Sequence, residues 1–361
     1  MKQIIRNKYL IFIISALILT QIAAVSPVAA KKKNKAKSSQ SFLKKIKFEA
    51  SLGLAYDDNI INYSDDDLAL YDNRTRPDKF AIESRDDFIF SPGIESRYVG
   101  RLLGGKNGSI SAGFNYYFFA QNDVKRYARI SLNFRQYIIR SGYVQFTYGL
   151  IPSYYYRNQY YSPDTTYKEA KFLKHSLGLE IGYDIIEILK ADLSYNFQIK
   201  DFNMEFNERD TDIHAFEINF ILNARHDLKF WSGYRFEIAR SDGKDISDPD
   251  IIDASYDSWS IPLGIRYLSR FQRSLKPEFY SRLQFRQTKY QSSKIADLYR
   301  FGRQDDNFQM EIGVTAAIYS RIKANLSYTF QKKISDLPTD SLESALDYSS
   351  NLVALRFERA F

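Results

Sequence analysis

The 361-residue chain has no cysteine. That single absence removes disulfides, thiolate metal sites, a catalytic thiol and a lipid-modified N-terminal cysteine. Tryptophan occurs only 2 times and histidine 3 times, which leaves little material for an indole belt or an imidazole metal site. No phosphate-cradling glycine loop, zinc spacing or nucleophile elbow is present, so the sequence implies no cofactor, metal or catalytic residue. After residue 30 no stretch approaches the roughly 20 consecutive apolar residues that a spanning helix needs. The mean hydropathy of -0.41 would by itself describe a soluble protein. What the chain does have is 28 Tyr and 27 Phe, which suit an aromatic-rich wall better than one globular core.

The N-terminus has the order of a secretory signal. Lys2, Arg6 and Lys8 precede an apolar run from Leu10 to Ala24, and small residues at Val28 and Ala30 prepare a cut after Ala30. Three segments follow from this: a signal over 1–30, a Lys/Ser-rich basic tail over 31–44 and a β-barrel over 45–361. The formal charge of +8 is carried in part by the signal and by Lys31, Lys32, Lys33, Lys35 and Lys37. The rest is close to neutral, and nucleic acid is not an expected partner.

From Ile46 the hydrophobic period is two. Ile46, Phe48, Ala50, Leu52, Leu54 and Tyr56 share one face of an extended strand, with Lys47, Glu49, Ser51 and Gly53 on the other. The pattern returns through Ile110–Phe118, Ala128–Phe134, Ala191–Ile199, Trp259–Tyr267 and Phe308–Ile318, and ends at Val353, Leu355, Phe357 and Phe361. It predicts about fourteen strands, an even number, in an all-β transmembrane antiparallel barrel. Window-averaged hydropathy misses such a wall because lipid-facing and lumen-facing residues cancel.

Connections alternate between short ones, such as Ser141-Gly142, and long ones rich in Asp, Asn and Ser, such as 57–86. The brief 121–126 is the exception. Short periplasmic turns and long external loops place both termini in the periplasm. The 57–86 loop either folds inward as a constriction or stays outside as an exposed acidic rim. Pro92, Pro152 and Pro262 fall inside predicted strands, where each removes a ladder donor; a bulge or a bend is the expected accommodation.

Charges follow the parity rule. Arg97, Arg129, Arg135, Glu180, Glu217, Arg235, Glu237, Arg266, Arg282, Arg286, Glu311, Lys323, Arg356 and Glu358 all take the parity opposite the apolar set of their own strand. A lipid-facing Arg or Lys at the bilayer midplane costs about 2–4 kcal/mol, so these residues, with Tyr143 and Trp231, are expected to line a lumen. Tyr137, Tyr155 and Tyr280 are assigned there too. The excess of Arg235, Arg266, Arg282, Arg286 and Arg356 suggests a mild preference for anions.

His175 takes the lipid parity and Ser176 the opposite one. That separates them, whereas a resemblance to outer-membrane phospholipase A would need both on the lipid face. His214 lies toward a loop end, where it could meet an external Asp as in the omptin proteases. His226 falls in a short turn. Asp57-Asp58-Asn59 with Asp65-Asp66-Asp67 could hold a hard cation but lacks the order of a calcium loop, so a solvated acidic rim is the alternative.

Tyr56-Asp57-Asp58-Asn59-Ile60, closing the first strand, and Ser91-Pro92-Gly93-Ile94 in the second together resemble the opening of a porin-like outer-membrane β-barrel family, some members of which accompany exopolysaccharide export. The terminal Phe361 is similar to the signal read by the barrel assembly machinery, with Arg359 departing from the aromatic common there. The resemblance implies an outer-membrane location, lipid and lipopolysaccharide around the wall, and passive diffusion of small hydrophilic or anionic solutes or saccharides. A non-enzymatic barrel working with an export system and an outer-membrane hydrolase are the alternatives.

Overall fold

The computed structural model describes residues 45–245, 252–269, 275–295, 297–319, 321–339 and 342–361. The signal and basic tail expected over 1–44 lie outside the described residues. Fourteen strands follow in order: β1 (Ile46–Asp57), β2 (Asp87–Arg101), β3 (Asn107–Phe119), β4 (Tyr127–Ile139), β5 (Gly142–Tyr161), β6 (Thr166–Ile186), β7 (Leu189–Phe202), β8 (Thr211–Arg225), β9 (Leu228–Ser241), β10 (Tyr256–Leu268), β11 (Glu278–Tyr290), β12 (Gln304–Tyr319), β13 (Ile322–Asp336) and β14 (Tyr348–Ala360). Each pairs antiparallel with the next. β14 returns to β1, with Leu52 opposite Phe357 and Leu54 opposite Leu355, and the sheet closes into a barrel.

The parity rule explains why closure works. Ile94 is 55% exposed, Phe216 51% and Ile312 47%, all on the outer face, whereas Glu237 on the inner face is 5% exposed. A soluble sandwich would bury the first set. Here the wall pairs its backbone groups between neighbouring strands and turns its apolar face outward, which is the solution lipid demands of a β-structure. The described strands therefore form a closed barrel with the apolar exterior of a membrane-spanning wall. Among the described residues no helix is long and apolar enough to cross a membrane.

The long connections gather at one end, the short turns at the other. At the turn end Phe361 donates its backbone N–H to Phe48 O, tying the last residue to β1. At the loop end the wall is uneven: β5 and β6 run 20 and 21 residues, while β3 and β4 run 13 each and are joined by the brief connection 120–126. The 58–86 loop occupies the space above that low hairpin and packs on Phe119, whereas the still shorter connection 162–165 joins the two longest strands, β5 and β6.

This loop has a hydrophobic core of its own, while Asp65, Asp66, Asp72 and Asp78 stay exposed. Ile60, Ile61, Tyr63, Phe80 and Ile82 are buried with Phe119 and Tyr155. The short helix α1 (Asp65–Asp72) carries Asp65, Asp66 and Asp67 in its first turn, and Ser64 caps it by accepting from the Asp67 N–H. Carboxylates beside unpaired helical N–H groups are favourable, which accounts for the acidic cluster as a helix start. Asp67 also pairs with Lys79, and Asp58 accepts from the backbone and side-chain amides of Asn351 on β14.

The three strand prolines behave differently. Beside Pro92 and Pro262 the ladder opens on one side without any change of register. At Pro152 β5 gains a residue: Ile151 pairs with Lys174, but the next registered pair is Tyr154 with Phe172. This bulge exchanges the faces of β5, so the expected lumen position of Tyr155 is corrected. Tyr154 joins the inner face, its ring against Tyr127 at 5.1 Å, and Tyr155 turns into the loop core at 2% exposure. A second irregularity between Tyr155 and Arg157 lets the Arg157 guanidinium reach Ile61 O at 3.4 Å and lie over the Tyr63 ring at 5.4 Å.

Candidate functional site

Most of the charged inner-face residues are already occupied with one another. Arg235 on β9 donates to Glu237 at 2.7 Å and to Glu217 at 3.4 Å. Arg286 on β11 reaches over β10 to Glu237 at 2.9 Å and to Ser258 Oγ at 3.1 Å, and the Tyr256 hydroxyl donates to the same carboxylate at 2.7 Å. Three donor side chains thus hold two carboxylates along β8–β11.

A second cluster spans β4–β7. Arg135 donates to Gln145 at 2.6 Å and lies 3.8 Å from Glu180. Tyr143 donates to Glu180 at 2.5 Å, lies 3.0 Å from Asp192 and accepts from Lys190 at 3.0 Å. A third joins Arg282 and Tyr280 to Glu311, at 3.2 and 3.0 Å. Arg97 pairs with Glu95, Arg266 with Glu278 and Arg356 with Glu358, at 2.8, 3.3 and 2.9 Å. Lys323 stands opposite Glu358 in the register.

These pairings revise the sequence argument about charge. Arg235, Arg266, Arg282, Arg286 and Arg356, whose excess suggested anion preference, each have a carboxylate partner. A neutralised pair leaves little net field at a distance beyond its own dipole. The inner-face cations without such a partner among the described residues include Arg129, Lys174 and Lys200. Of these only Arg129 was singled out from the sequence. Lys200 lies near the end of β7 and Lys174 well inside β6, but their signal was available: both take inner parity, and the register places them directly opposite each other.

Three inner-face aromatics lie flat against the wall. Trp231 and Gly264 are cross-strand partners, and a Cβ built on Gly264 would come within 2.0 Å of the indole. Tyr143 covers Gly182 and Tyr280 covers Gly313 in the same way. Rings laid across a neighbour's glycine fill the missing side chain and narrow the interior less than projecting rings would.

His175 and His214 sit outside this network. Tyr148 Oη lies 2.9 Å from His175 Nδ1, and Tyr195 Oη lies 2.8 Å from His214 Nδ1. His214 also packs on the Phe197 ring at 5.0 Å. Phe197 and Phe216 belong to the apolar set, so His214 lies on the outer face beside aromatic residues. Asp212, two positions away, takes the same parity.

At the loop end the buried titratable groups are structural. Burial together with the Arg157 charge lowers Lys125 to about 8; its ammonium lies over the Tyr154 ring at 4.8 Å. Burial raises Tyr63 to about 12. Hydrogen bonds from Ser84 and Tyr56 hold Asp86 below the usual carboxylate range.

No family model and no curated protein matches the sequence. Solved structures do. The chain is similar to a protein described as a bacterial polysaccharide outer membrane secretin, with 11% identity, 86% of this chain and 98% of that chain covered, and a TM-score of 0.45. OmpT, an outer membrane protein of Vibrio cholerae, gives 7%, 88%, 97% and 0.46. An anion-selective porin from Comamonas acidovorans gives 13%, 88%, 98% and 0.40. At such identities and scores, what those proteins carry says nothing about this chain.

Proposed function

We propose that the barrel is a passive outer-membrane channel for small hydrophilic solutes or saccharides, with the short turns and both chain ends on the periplasmic side. The observation that supports this most is the contrast between the two faces of one closed wall. The outer face carries Ile94, Phe216 and Ile312 into lipid, and the inner face carries Arg, Glu, Tyr, Ser and Asn in hydrogen-bonded clusters. A lumen lined in this way stays wet, and its polar groups replace some of a solute's water contacts at little cost. Arg97, Arg129, Arg135, Tyr143, Glu180, Glu217, Trp231, Arg235, Glu237, Arg266, Arg282, Arg286, Glu311, Lys323, Arg356 and Glu358 are the lining residues in this reading.

Transport here is movement down a gradient, with no bond made or broken. The wall is solvated by lipid and lipopolysaccharide, and Phe361 serves as the recognition residue for the insertion machinery. Liposome swelling tests the reading. Vesicles carrying folded protein swell in isosmotic pentose or hexose faster than protein-free vesicles, and the rate falls with solute size. Swelling at the protein-free rate would refute the proposal.

A further inference from the structure

We infer that Arg129, Lys174 and Lys200 form a subsite for the anionic group of an acidic sugar. This deepens the channel reading and rests on it, since a solute must enter the lumen to reach the three cations.

Lys174 on β6 and Lys200 on β7 are directly opposed on the inner face. Residues so paired hold their Cβ atoms roughly 4.5–5.5 Å apart, and like charges in that position destabilise a sheet. Lys174 further feels the like charges of Arg129 and Arg235, against the single opposing charge of Glu237. That carboxylate is already held by Arg235, Arg286 and Tyr256. Elsewhere on the inner face, carboxylates take up most of the cations; in this sector none pairs with the three among the described residues. The repulsion is relieved when an anion sits between them.

The neighbouring positions point to what carries the anion. One inner step toward the turn end, Ser176 stands opposite Gln198, and Asn196 follows on β7. None of these three side chains has a hydrogen-bond partner among the described residues. A hydroxyl and two carboxamides beneath three cations match a solute with one anionic group and several hydroxyls. Charge-assisted hydrogen bonds to the cations supply most of the affinity, and the amides separate a sugar acid from a bare anion.

The test is calorimetric titration of folded protein in detergent, where binding is read without conduction. The probes are galacturonate, glucose 6-phosphate, galactose, acetate and inorganic phosphate. Galacturonate or glucose 6-phosphate should bind about ten-fold or more tightly than both galactose and its bare-anion counterpart; which of the two binds better distinguishes a carboxylate from a phosphate ligand. Lys174→Gln/Lys200→Gln should abolish that advantage while raising the thermal unfolding midpoint, because it removes a like-charge pair. The raised midpoint separates loss of binding from loss of fold. Equal binding of bare anions and sugar acids would overturn the inference, as would unchanged affinity in the double variant. Folded protein that binds but does not conduct would count against the channel and leave the subsite standing; protein that conducts but binds none of the probes would do the reverse.

Discussion

The indole of Trp231 lies flat over Gly264, its cross-strand partner, leaving no room for even one methyl group. Gly264→Ala should therefore push the ring off the wall and into the lumen. Overpacking of this kind costs about 1–3 kcal/mol. Chemical unfolding should show that loss, and single-channel recording should show a smaller conductance. Gly264→Ala/Trp231→Ala should restore or exceed the original conductance. A single variant with unchanged stability and conductance would mean that the ring does not rest there.

Arg282 and Glu311 form an ion pair at 3.2 Å. Neutralising both, as Arg282→Gln/Glu311→Gln, leaves the lumen's net charge unchanged and should leave the reversal potential in a salt gradient unchanged. Neutralising Lys174 and Lys200 removes two uncompensated charges, so the same measurement should move toward cation preference. Equal shifts from the two double variants would contradict the distinction between paired and unpaired charges.

Lys125 gives the loop end a pH dependence of known sign. Its folded pKa of about 8 lies below the ordinary value of 10.5 because burial disfavours the ammonium. Below pH 8 it is charged both folded and unfolded, and the full burial cost is present. Between 8 and 10.5 the unfolded form binds more protons, so stability rises with pH by up to about 3 kcal/mol. Subtilisin nicking of the 58–86 loop should slow between pH 7.5 and 9.5. Lys125→Met should abolish that part of the pH trend and protect the loop at pH 7.5.

Asn122 is 1% exposed and anchors the same loop. Its carboxamide oxygen accepts from the Glu83 and Ser84 N–H groups, and its nitrogen donates to Ser84 O and Asp87. Asn122→Ala would leave buried backbone groups unpaired, at about 1–3 kcal/mol. Faster nicking within 58–86 is expected while the barrel keeps its thermal midpoint. A midpoint lowered along with faster nicking would show that loop and wall unfold as one unit.

The strands were legible because a period of two survives in any window and lipid penalises every error of register. The grouping of charges on one face was legible for the same reason, and Glu180 with Tyr143 and Glu311 with Arg282 pair across strands on it. The reversal at Tyr155 was not legible, because Pro152 showed that the ladder would be disturbed but not whether a residue would be inserted; Pro92 and Pro262 inserted none. Pairing was hidden for a different reason. Glu237 and Arg286 are 49 positions apart and meet over an intervening strand. Nor could Asp65, Asp66 and Asp67 be read as a helix start while the loop around them had no pattern of its own.

The central claim is that the closed wall encloses an open, water-filled path. Planar-bilayer recording of folded, detergent-purified protein tests it most directly. The account predicts discrete conductance steps in potassium chloride and, in a salt gradient, a reversal potential on the anion-selective side that Lys174→Gln/Lys200→Gln diminishes. Bilayers that remain silent after verified insertion of folded barrel would contradict it.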